Sequence, residues 1–330
     1  MELLTASTSR VYAKLGQAGA AFGVALVELA KQRDDIVVLS ADMAKPAGLL
    51  KFSGLHPDRF FNVGIAEQNL VGMAAGFANE GFKVIASAQA CFLSMRSYEQ
   101  IRQYSGYMKF PIVYVGVSAG FALTFFGNTH YALEDMTLLR SVPGMVVISP
   151  SDPGQAMKAL QQALTMDCPV YIRCTGVPGL APLYTQEYAF EIGKAIQLKE
   201  GKDATVFCCG AITKQVVEVA TELEECGYSV QVVDMHTISP LDQHCLQDAM
   251  TSRLWITVEE HFIQGGLGSA VAEFLATQFS PNRPFLHCIG VPNVFTVPGD
   301  YSYLLRTNQL DAASLKARFV SLLQQVADDE

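Results

Sequence analysis

Short β-rich runs alternate with longer helical patterns along almost the whole chain of 330 residues. Strands are predicted at 36–40, 83–87, 112–117, 145–149 and 170–173, and again at 205–209, 229–233, 254–258 and 284–288. Amphipathic helical spacing lies around and between these runs, for example over Ser9–Arg33, Glu67–Glu80, Met95–Gly106 and Pro153–Met166. This alternation is typical of βαβ units, in which helices cover both faces of a mostly parallel sheet. The sequence therefore predicts an α/β fold.

A break in the alternation divides the chain into two parts. The Pro/Gly-rich stretch Thr175–Pro182 follows the fifth predicted strand, and the alternation begins again after Asp203. A length of 330 residues suits two domains of ordinary size. We predict a first domain over 1–185 and a smaller second domain over 190–330.

The composition excludes some classes of function. The net charge is −9, and no basic face offsets it, which argues against binding to nucleic acid. Hydrophobic residues make up 50% of the chain, yet its longest apolar stretch, 19–27, is too short to span a bilayer. We therefore assign the apolar excess to sheet cores and a large subunit interface. Small anionic substrates remain compatible with this charge, because they respond to the local field.

The eight cysteines are scattered, and no C-x-x-C pair occurs. This pattern is typical of a reduced cytosolic protein rather than of a disulfide framework or a zinc site. The segment Met1–Arg10 lacks a basic region followed by an apolar one, so we expect no signal peptide. The predicted location is the cytoplasm.

The segment Gly64–Asn69 places one carboxylate, Glu67, at a predicted strand-to-helix junction. An acidic side chain at a helix N-terminus is often there because the helix dipole favours it. A carboxylate that little water reaches also holds a proton more readily. It can then share that proton with a ring nitrogen, and thiamine activation is one of the few cofactor chemistries that require such a group.

Two further groups of residues are candidates for the site. The apolar side chains of Phe92, Met95 and Tyr98 recur at helical spacing, and ordinary core packing is the alternative explanation. His130 lies at the end of a loop that leads into a helix. A histidine there can donate or accept a proton near neutral pH.

Several motifs, in the same order and at matching spacing, resemble the thiamine-diphosphate enzymes of the transketolase family. They are the segments 62–76, 90–102, 129–135 and 258–269. The resemblance covers nearly the whole chain but matches only the second half of an ordinary transketolase. It implies two three-layer α/β/α domains. The first is a pyrimidine-binding domain with a parallel sheet, and the second is the smaller transketolase C-terminal domain with a mostly parallel sheet.

The resemblance implies thiamine diphosphate as the cofactor. It implies that Glu67 hydrogen-bonds N1′ of the pyrimidine, which favours the tautomer that takes the proton from C2 of the thiazolium. It also implies that Ile65, Phe92, Met95 and Tyr98 form the pocket of the pyrimidine. His130 is expected to reach the cofactor and a substrate oxygen. His261 also matches a family motif, but it lies in the second domain and is assigned a structural role.

The resemblance assigns Arg10 and Arg173 to the phosphate of a sugar phosphate, since a guanidinium can grip phosphate or sulfonate with two hydrogen bonds. A solvated surface arginine is the alternative for each. Ordinary members of the family have a phosphate-binding histidine near the position of Ser118. Near the position of Phe126 they have an aspartate that binds a hydroxyl of the donor. Pro46 falls where a phosphate-binding serine is expected. With fewer polar side chains to bind the substrate, the site favours a donor other than the standard pentulose or hexulose phosphates.

The family holds Mg²⁺ and diphosphate with a Gly-Asp-Gly motif, which does not occur here. The cluster Gly265–Gly268 precedes a helix, and we interpret it as close helix–strand packing rather than a phosphate loop. We therefore expect no metal ligands on this chain. A partner chain, the N-terminal transketolase subunit, is expected to carry the Mg²⁺–diphosphate domain. The active site would then form between chains in an α₂β₂ assembly.

The expected activity is transfer of a two-carbon ketol unit from a ketose donor, such as a phosphate or another anionic sugar, to an aldose acceptor. One alternative is the β subunit of a 2-oxoacid dehydrogenase E1. Another is an enzyme similar to deoxyxylulose-phosphate synthase, which is normally one long chain. A regulatory or structural half of a thiamine enzyme is the non-enzyme alternative, against which the presence of Glu67 and His130 argues.

Overall fold

A computed structural model describes residues 4–279 and 283–328 of the chain, and it contains two β-sheets. The strands are β1 Ile36–Ser40, β2 Phe60–Asn62, β3 Lys83–Gln89, β4 Val113–Val117, β5 Val146–Ile148, β6 Val170–Arg173, β7 Ile196–Lys199, β8 Ala204–Cys208, β9 Val230–Asp234, β10 Thr237–Ser239, β11 Leu254–Phe262 and β12 Phe285–Val291. Most central strands are buried along their whole length, which explains why the sequence shows apolar runs there.

Helices cover the faces of both sheets. They are α1 Ala6–Ala20, α2 Val27–Ala30, α3 Leu50–Leu55, α4 Glu67–Asn79, α5 Ala90–Arg96, α6 Tyr98–Ile101, α7 Asp135–Arg140, α8 Pro153–Ala163, α9 Thr213–Glu225, α10 Gln243–Asp248, α11 Leu267–Thr277, α12 Tyr301–Thr307 and α13 Ala312–Asp328. The expected α/β fold is confirmed. None of the helices in the described ranges combines the length and apolar composition that a membrane crossing requires.

The first sheet has the strand order β10-β5-β6-β4-β3-β1-β2. Strands β1 to β6 pair in parallel. The seventh strand, β10, comes from the second half of the chain and pairs antiparallel with β5. The six strands from the first half of the chain form the parallel sheet that the resemblance implied, and β10 adds an antiparallel edge to it. Strand β10 was not predicted from the sequence, and its position depends on its pairing with β5.

The second sheet has the order β12-β11-β8-β9-β7. Strands β8, β9, β11 and β12 are parallel, and β7 pairs antiparallel with β9 at one edge. This sheet is mostly parallel, as predicted. One apolar core cluster crosses between the two sheets and joins, among others, Tyr114 and Val147 to Ile238 and Trp255.

The helix predicted over 9–33 is interrupted. Gly16, with φ 71°, lies inside α1 in a non-helical conformation that glycine tolerates. A π-helical segment, Ala21–Leu26, then leads into α2. The helix predicted over 95–106 begins earlier, at Ala90, and breaks at Ser97, whose hydroxyl donates to the carbonyl of Leu93 at 2.7 Å. Serine side chains that bond back to the preceding turn often bend a helix.

Helix α8 begins with a side-chain cap. Asp152 accepts the backbone N–H of Gln155 at 2.8 Å, and Pro153 occupies the first turn.

The carboxyl ends of the parallel strands of the first sheet share one edge, where α/β proteins place their ligands. The segments that lead from β2 into α4 and from β3 into α5 lie at this edge.

Candidate active site

Glu67 is the first residue of α4 and is almost completely buried. The turn before it contains Gly64, with φ 75°, a conformation that favours glycine. The side chain of Asn62 accepts the backbone N–H groups of Asp42 and Gly64, both at 3.1 Å, and so fixes the turn that leads into the helix. The junction therefore holds a carboxylate in the protein interior with a defined orientation.

The carboxylate of Glu67 is paired with Arg96, a residue that sequence reasoning did not single out. Arg96 Nη1 donates to Glu67 Oε2 at 2.7 Å. The guanidinium carbon of Arg96 also lies 4.3 Å from the centroid of the Phe92 ring. Arg96 and Phe92 are four residues apart on α5, and this spacing was a signal that the sequence offered.

An aromatic group continues the site from Phe92 to His130. The ring centroids of Phe92 and His130 are 5.3 Å apart, and those of Phe126 and His130 are 5.1 Å apart. The carbonyl of His130 accepts from Gln89 at 3.3 Å, and its Nδ1 lies 2.9 Å from Thr129 Oγ1. The structure thus connects Glu67, through Arg96 and Phe92, with His130 and Phe126.

Exposed apolar side chains occur in the same segments. Ile65 precedes Glu67, Met95 lies next to Arg96, and Phe126 contacts His130; all three are exposed. Tyr98 is different, because it is half-buried on α6 and its hydroxyl bonds with Ser141 at 2.7 Å. In the described part of the chain, no ring contact joins Tyr98 to Phe92 or His130.

Ser118 lines a small cavity at the same sheet edge. It follows β4 with φ 58° and borders a cavity of about 60 Å³ between Pro46, Val117 and Cys174. The remaining lining comes from the kinked part of α1 and from Thr175, Gly176 and Pro178. The lining contains polar side chains, among them Gln17, Ser118 and Thr175, beside the apolar ones. Arg10 is exposed on α1.

The structure does not support the expected role of Arg173 as a phosphate ligand. Its side chain is only 1% exposed, and its Nε donates to the carboxylate of Asp135 at 2.9 Å. Its Nη2 donates to the carbonyls of Ala132 and Glu260, at 2.8 and 2.9 Å. Burial acts against its charge, but the neighbouring Asp135 carboxylate raises the pKa of Arg173 overall. A guanidinium held in this way joins the two halves of the chain and does not face a substrate phosphate.

The second half of the chain also holds the loop that precedes His130. Glu260 Oε1 accepts the backbone N–H of Phe121 at 2.6 Å, and its other oxygen accepts the hydroxyl of Tyr301. Burial raises the pKa of Glu260. Asn128 exchanges two hydrogen bonds with the backbone of Thr296, at 2.8 and 3.1 Å. The loop from Ser118 to His130 is therefore positioned from both sides of the molecule.

The glycine cluster Gly265–Gly268 surrounds a protein carboxylate. Glu259 accepts the N–H groups of Leu267 and Gly268, both at 2.8 Å, at the N-terminus of α11. A Cβ at Gly266 would lie 2.0 Å from Glu259, and one at Gly268 would lie 2.9 Å from Cys288. The close-packing interpretation therefore fits the structure. His261 is fully buried beside it, and burial lowers its pKa to about 4, so it is neutral.

Metal ligands were not expected on this chain. Over residues 4–279 and 283–328, no group of three or more His, Cys, Asp or Glu side chains has an arrangement that could hold a metal ion. The candidate site itself contains a buried carboxylate, a histidine and exposed apolar side chains.

Comparison with known families decides the relationship. The pyrimidine-binding domain of transketolase matches residues 17–175, and the transketolase C-terminal domain matches residues 193–315. The chain belongs to the transketolase family. This transketolase-family chain aligns with the C-terminal half of the fold, as the resemblance implied.

Two relatives and one solved structure are similar over most of their length. A "Putative transketolase C-terminal section" of Methanocaldococcus jannaschii is 35% identical over 92% of this chain and 95% of its own length. A subunit of the apulose-4-phosphate transketolase of Phocaeicola vulgatus is 36% identical over 83% and 87%, respectively. A split gene transketolase, solved as an inactive beta4 tetramer, is 37% identical with a TM-score of 0.82 and covers 93% of this chain and 98% of its own.

Proposed function

We propose that this chain is the C-terminal subunit of a two-chain, thiamine-diphosphate-dependent transketolase. The observation that carries the proposal is the buried carboxylate of Glu67 at the start of α4, linked through Arg96 and Phe92 to His130. A buried carboxylate next to exposed apolar side chains fits a planar ring that has a basic nitrogen on its edge. The proposed reaction transfers a two-carbon ketol unit from a ketose to an aldose.

Each side chain of the site has a proposed role. Glu67 would hold the proton shared with N1′ of the pyrimidine, and Ile65, Phe92 and Met95 would exclude water from the ring. Thiamine diphosphate, when bound, supplies the carbanion and the electron sink for cleavage of the ketose. His130 would donate to or accept from the substrate oxygens. Tyr98 stays a proposed neighbour of the pyrimidine on the basis of the family motif alone.

The proposed substrates are sugars or sugar phosphates. The relative described as an apulose-4-phosphate transketolase supports an anionic donor. Arg10 is the proposed anion contact, whereas Arg173 is already occupied by Asp135. Ser118, at the small cavity after β4, and Phe126, beside His130, are proposed to read the donor. Removal of a hydroxyl acceptor changes which sugars a site can discriminate.

The Mg²⁺–diphosphate domain is proposed to lie on a partner chain, in an α₂β₂ heterotetramer. The split gene relative supports this, because it covers almost the same extent and its beta4 form is described as inactive. All eight cysteines are free thiols, which supports a reducing compartment such as the cytoplasm. We expect the purified chain alone to bind thiamine diphosphate weakly and to show no ketol transfer. Full turnover by the isolated chain would contradict the two-chain proposal.

The central test is the variant Glu67→Gln in the reconstituted two-chain enzyme. Glutamine keeps the shape but cannot share a carboxylate proton, so we expect kcat to fall by about 10²–10⁴-fold. Assembly, followed by size-exclusion chromatography, should not change. An unchanged kcat in a correctly assembled variant would disprove the role of Glu67. The donor class is tested in parallel: release of carbon dioxide from pyruvate, instead of transfer from a ketose, would favour the synthase or E1 alternative.

A further inference from the structure

We infer that Arg96 closes the pyrimidine site in the free subunit and must leave it before thiamine diphosphate can bind. This inference rests on the proposed function, because it concerns the same site. It identifies a side chain that the motif comparison did not assign, and it makes Arg96 a residue that controls access of the cofactor rather than one that reacts.

The guanidinium of Arg96 contacts both surfaces that a pyrimidine ring would need. Its carbon lies 4.3 Å from the centroid of Phe92, which is stacking distance for a planar cation. Its Nη1 donates to Glu67 Oε2 at 2.7 Å. A planar pyrimidine that packs on Phe92 and hydrogen-bonds Glu67 would use the same ring face and the same carboxylate. The two groups cannot occupy this position together.

The free chain has a physical reason to keep Arg96 in place. The side chain of Glu67 is 3% exposed, and in the described parts of the chain Arg96 is its only hydrogen-bond or ion-pair partner. A buried carboxylate without a partner is costly, so the pair stabilises the empty site. Binding of a ring nitrogen to Glu67 would replace this partner and remove the reason for Arg96 to stay.

Arg96 is also able to leave. Its side chain is 45% exposed, so its guanidinium can move into water with little change in solvation. Its backbone is held, since the side chain of Gln68 donates to the carbonyl of Arg96 at 3.2 Å. The movement is therefore a change of side-chain rotamer at the end of α5 and needs no rearrangement of the helix.

This arrangement reduces the apparent affinity for the cofactor. When only a fraction of the molecules is open, the apparent dissociation constant is the intrinsic constant divided by that fraction. A site that is closed in about four-fifths of the molecules binds about fivefold more weakly than an open one. Replacement of Arg96 by a neutral side chain should therefore strengthen binding, whereas loss of an ordinary cofactor ligand would weaken it.

The first experiment tests the contact in the full chain without its partner. Urea unfolding is measured for the parent, Arg96→Met, Glu67→Gln and the double variant, with Arg102→Met as a control for charge on an exposed arginine of the same region. We expect Arg96→Met to lower the unfolding midpoint in the parent and to have a much smaller effect in the Glu67→Gln background. Equal effects in both backgrounds would show that the two side chains are not coupled and would overturn the inference.

The second experiment measures binding itself. Thiamine diphosphate with Mg²⁺ is titrated calorimetrically into the chain assembled with the partner that carries the diphosphate domain. We expect Arg96→Met to bind about fivefold more tightly than the parent, and Arg102→Met to bind like the parent. Equal or weaker binding by Arg96→Met would overturn the inference. If neither the parent nor any variant binds the cofactor, the proposed function fails, while coupling in the unfolding experiment still reports whether the pair exists.

Discussion

Gly120 determines where the loop in front of His130 can lie. Its φ is 64°, and a Cβ at this position would lie 2.1 Å from Glu260 Oε1. Glu260 cannot withdraw without losing its hydrogen bonds to Phe121 and Tyr301. We expect Gly120→Ala to lower the free energy of unfolding by about 2–4 kcal/mol, from backbone strain and lost buried hydrogen bonds. Urea unfolding measures this change.

The matched control is Gly54→Ala on α3. No atom lies within 4 Å of a Cβ built at Gly54, and its backbone is helical. Alanine should be neutral or should stabilise the helix by up to about 1 kcal/mol. If Gly120→Ala behaves like Gly54→Ala, the loop is not held by Glu260 in the way the structure indicates.

At the residue level, local motifs singled out part of the candidate site and missed contacts that depend on the fold. Glu67 and His130 could be selected from short motifs, because each motif is contiguous in sequence. The pairing of Arg96 with Glu67 spans 29 positions, and the pairing of Arg173 with Asp135 spans 38. A motif of a few neighbouring residues cannot show which distant carboxylate either arginine will pair with. For this reason Arg173 could be taken for a ligand-binding arginine when it is a buried ion pair.

The N-terminus of α11 shows how one element depends on a buried charge. Glu259 accepts two backbone N–H groups there, and its burial raises its pKa to about 7 from an ordinary 4.5. The folded protein therefore keeps a proton that the unfolded chain loses as the pH rises from 4.5 to 7. The stability that this proton contributes is present below pH 4.5 and is lost as the pH approaches 7.

We expect this carboxyl group to lower the free energy of unfolding by at most about 3 kcal/mol between pH 4.5 and 7. His261 lies 3.8 Å away and acts in the opposite direction, because its lowered pKa of about 4 makes the protein lose stability as the pH falls from 6.5. The useful quantity is therefore the difference between parent and Glu259→Gln, measured by urea unfolding from pH 5 to 8.

Glutamine does not titrate, so the parent should lose stability relative to Glu259→Gln as the pH rises through this range. The control is Glu273→Gln, an exposed glutamate on the same helix. Its curve should run parallel to that of the parent. Parallel curves for Glu259→Gln as well would mean that Glu259 does not carry the proton that its burial implies.

At the element level, the long buried strands could be predicted and the short edge strands could not. Strands β1 and β6 have the same bounds as the predicted runs, because each is a continuous apolar segment between turns. Strands β2 and β10 contain three residues each and have no periodicity of their own. Their positions depend on the neighbouring strand, which is tertiary information. The helix breaks at Gly16 and Ser97 also depend on local bonds that apolar spacing does not reveal.

The two sheets share structure, so the described molecule is built as one unit. Strand β10 follows β9 of the second sheet directly and completes the edge of the first. Arg173, at the end of β6, donates to the carbonyl of Glu260 in β11. Glu260 in turn binds the loop that precedes His130. A candidate site in the first half of the chain is therefore held by residues of the second half.

This shared construction predicts how the chain unfolds. Chains with two domains often unfold in separate steps. Here, unfolding of the second sheet would strip β10 from β5, open the core cluster that contains Trp255, and leave Arg173 partly unpaired in the interior. We therefore expect one calorimetric transition, with equal van't Hoff and calorimetric enthalpies. Lys31→Gln is the control, because its exposed pair with Glu28, within the first half, should contribute less than about 1 kcal/mol. Two resolved transitions in the parent, or a fragment 1–185 that unfolds cooperatively by itself, would show that the halves are independent and that the site does not require the second half to form.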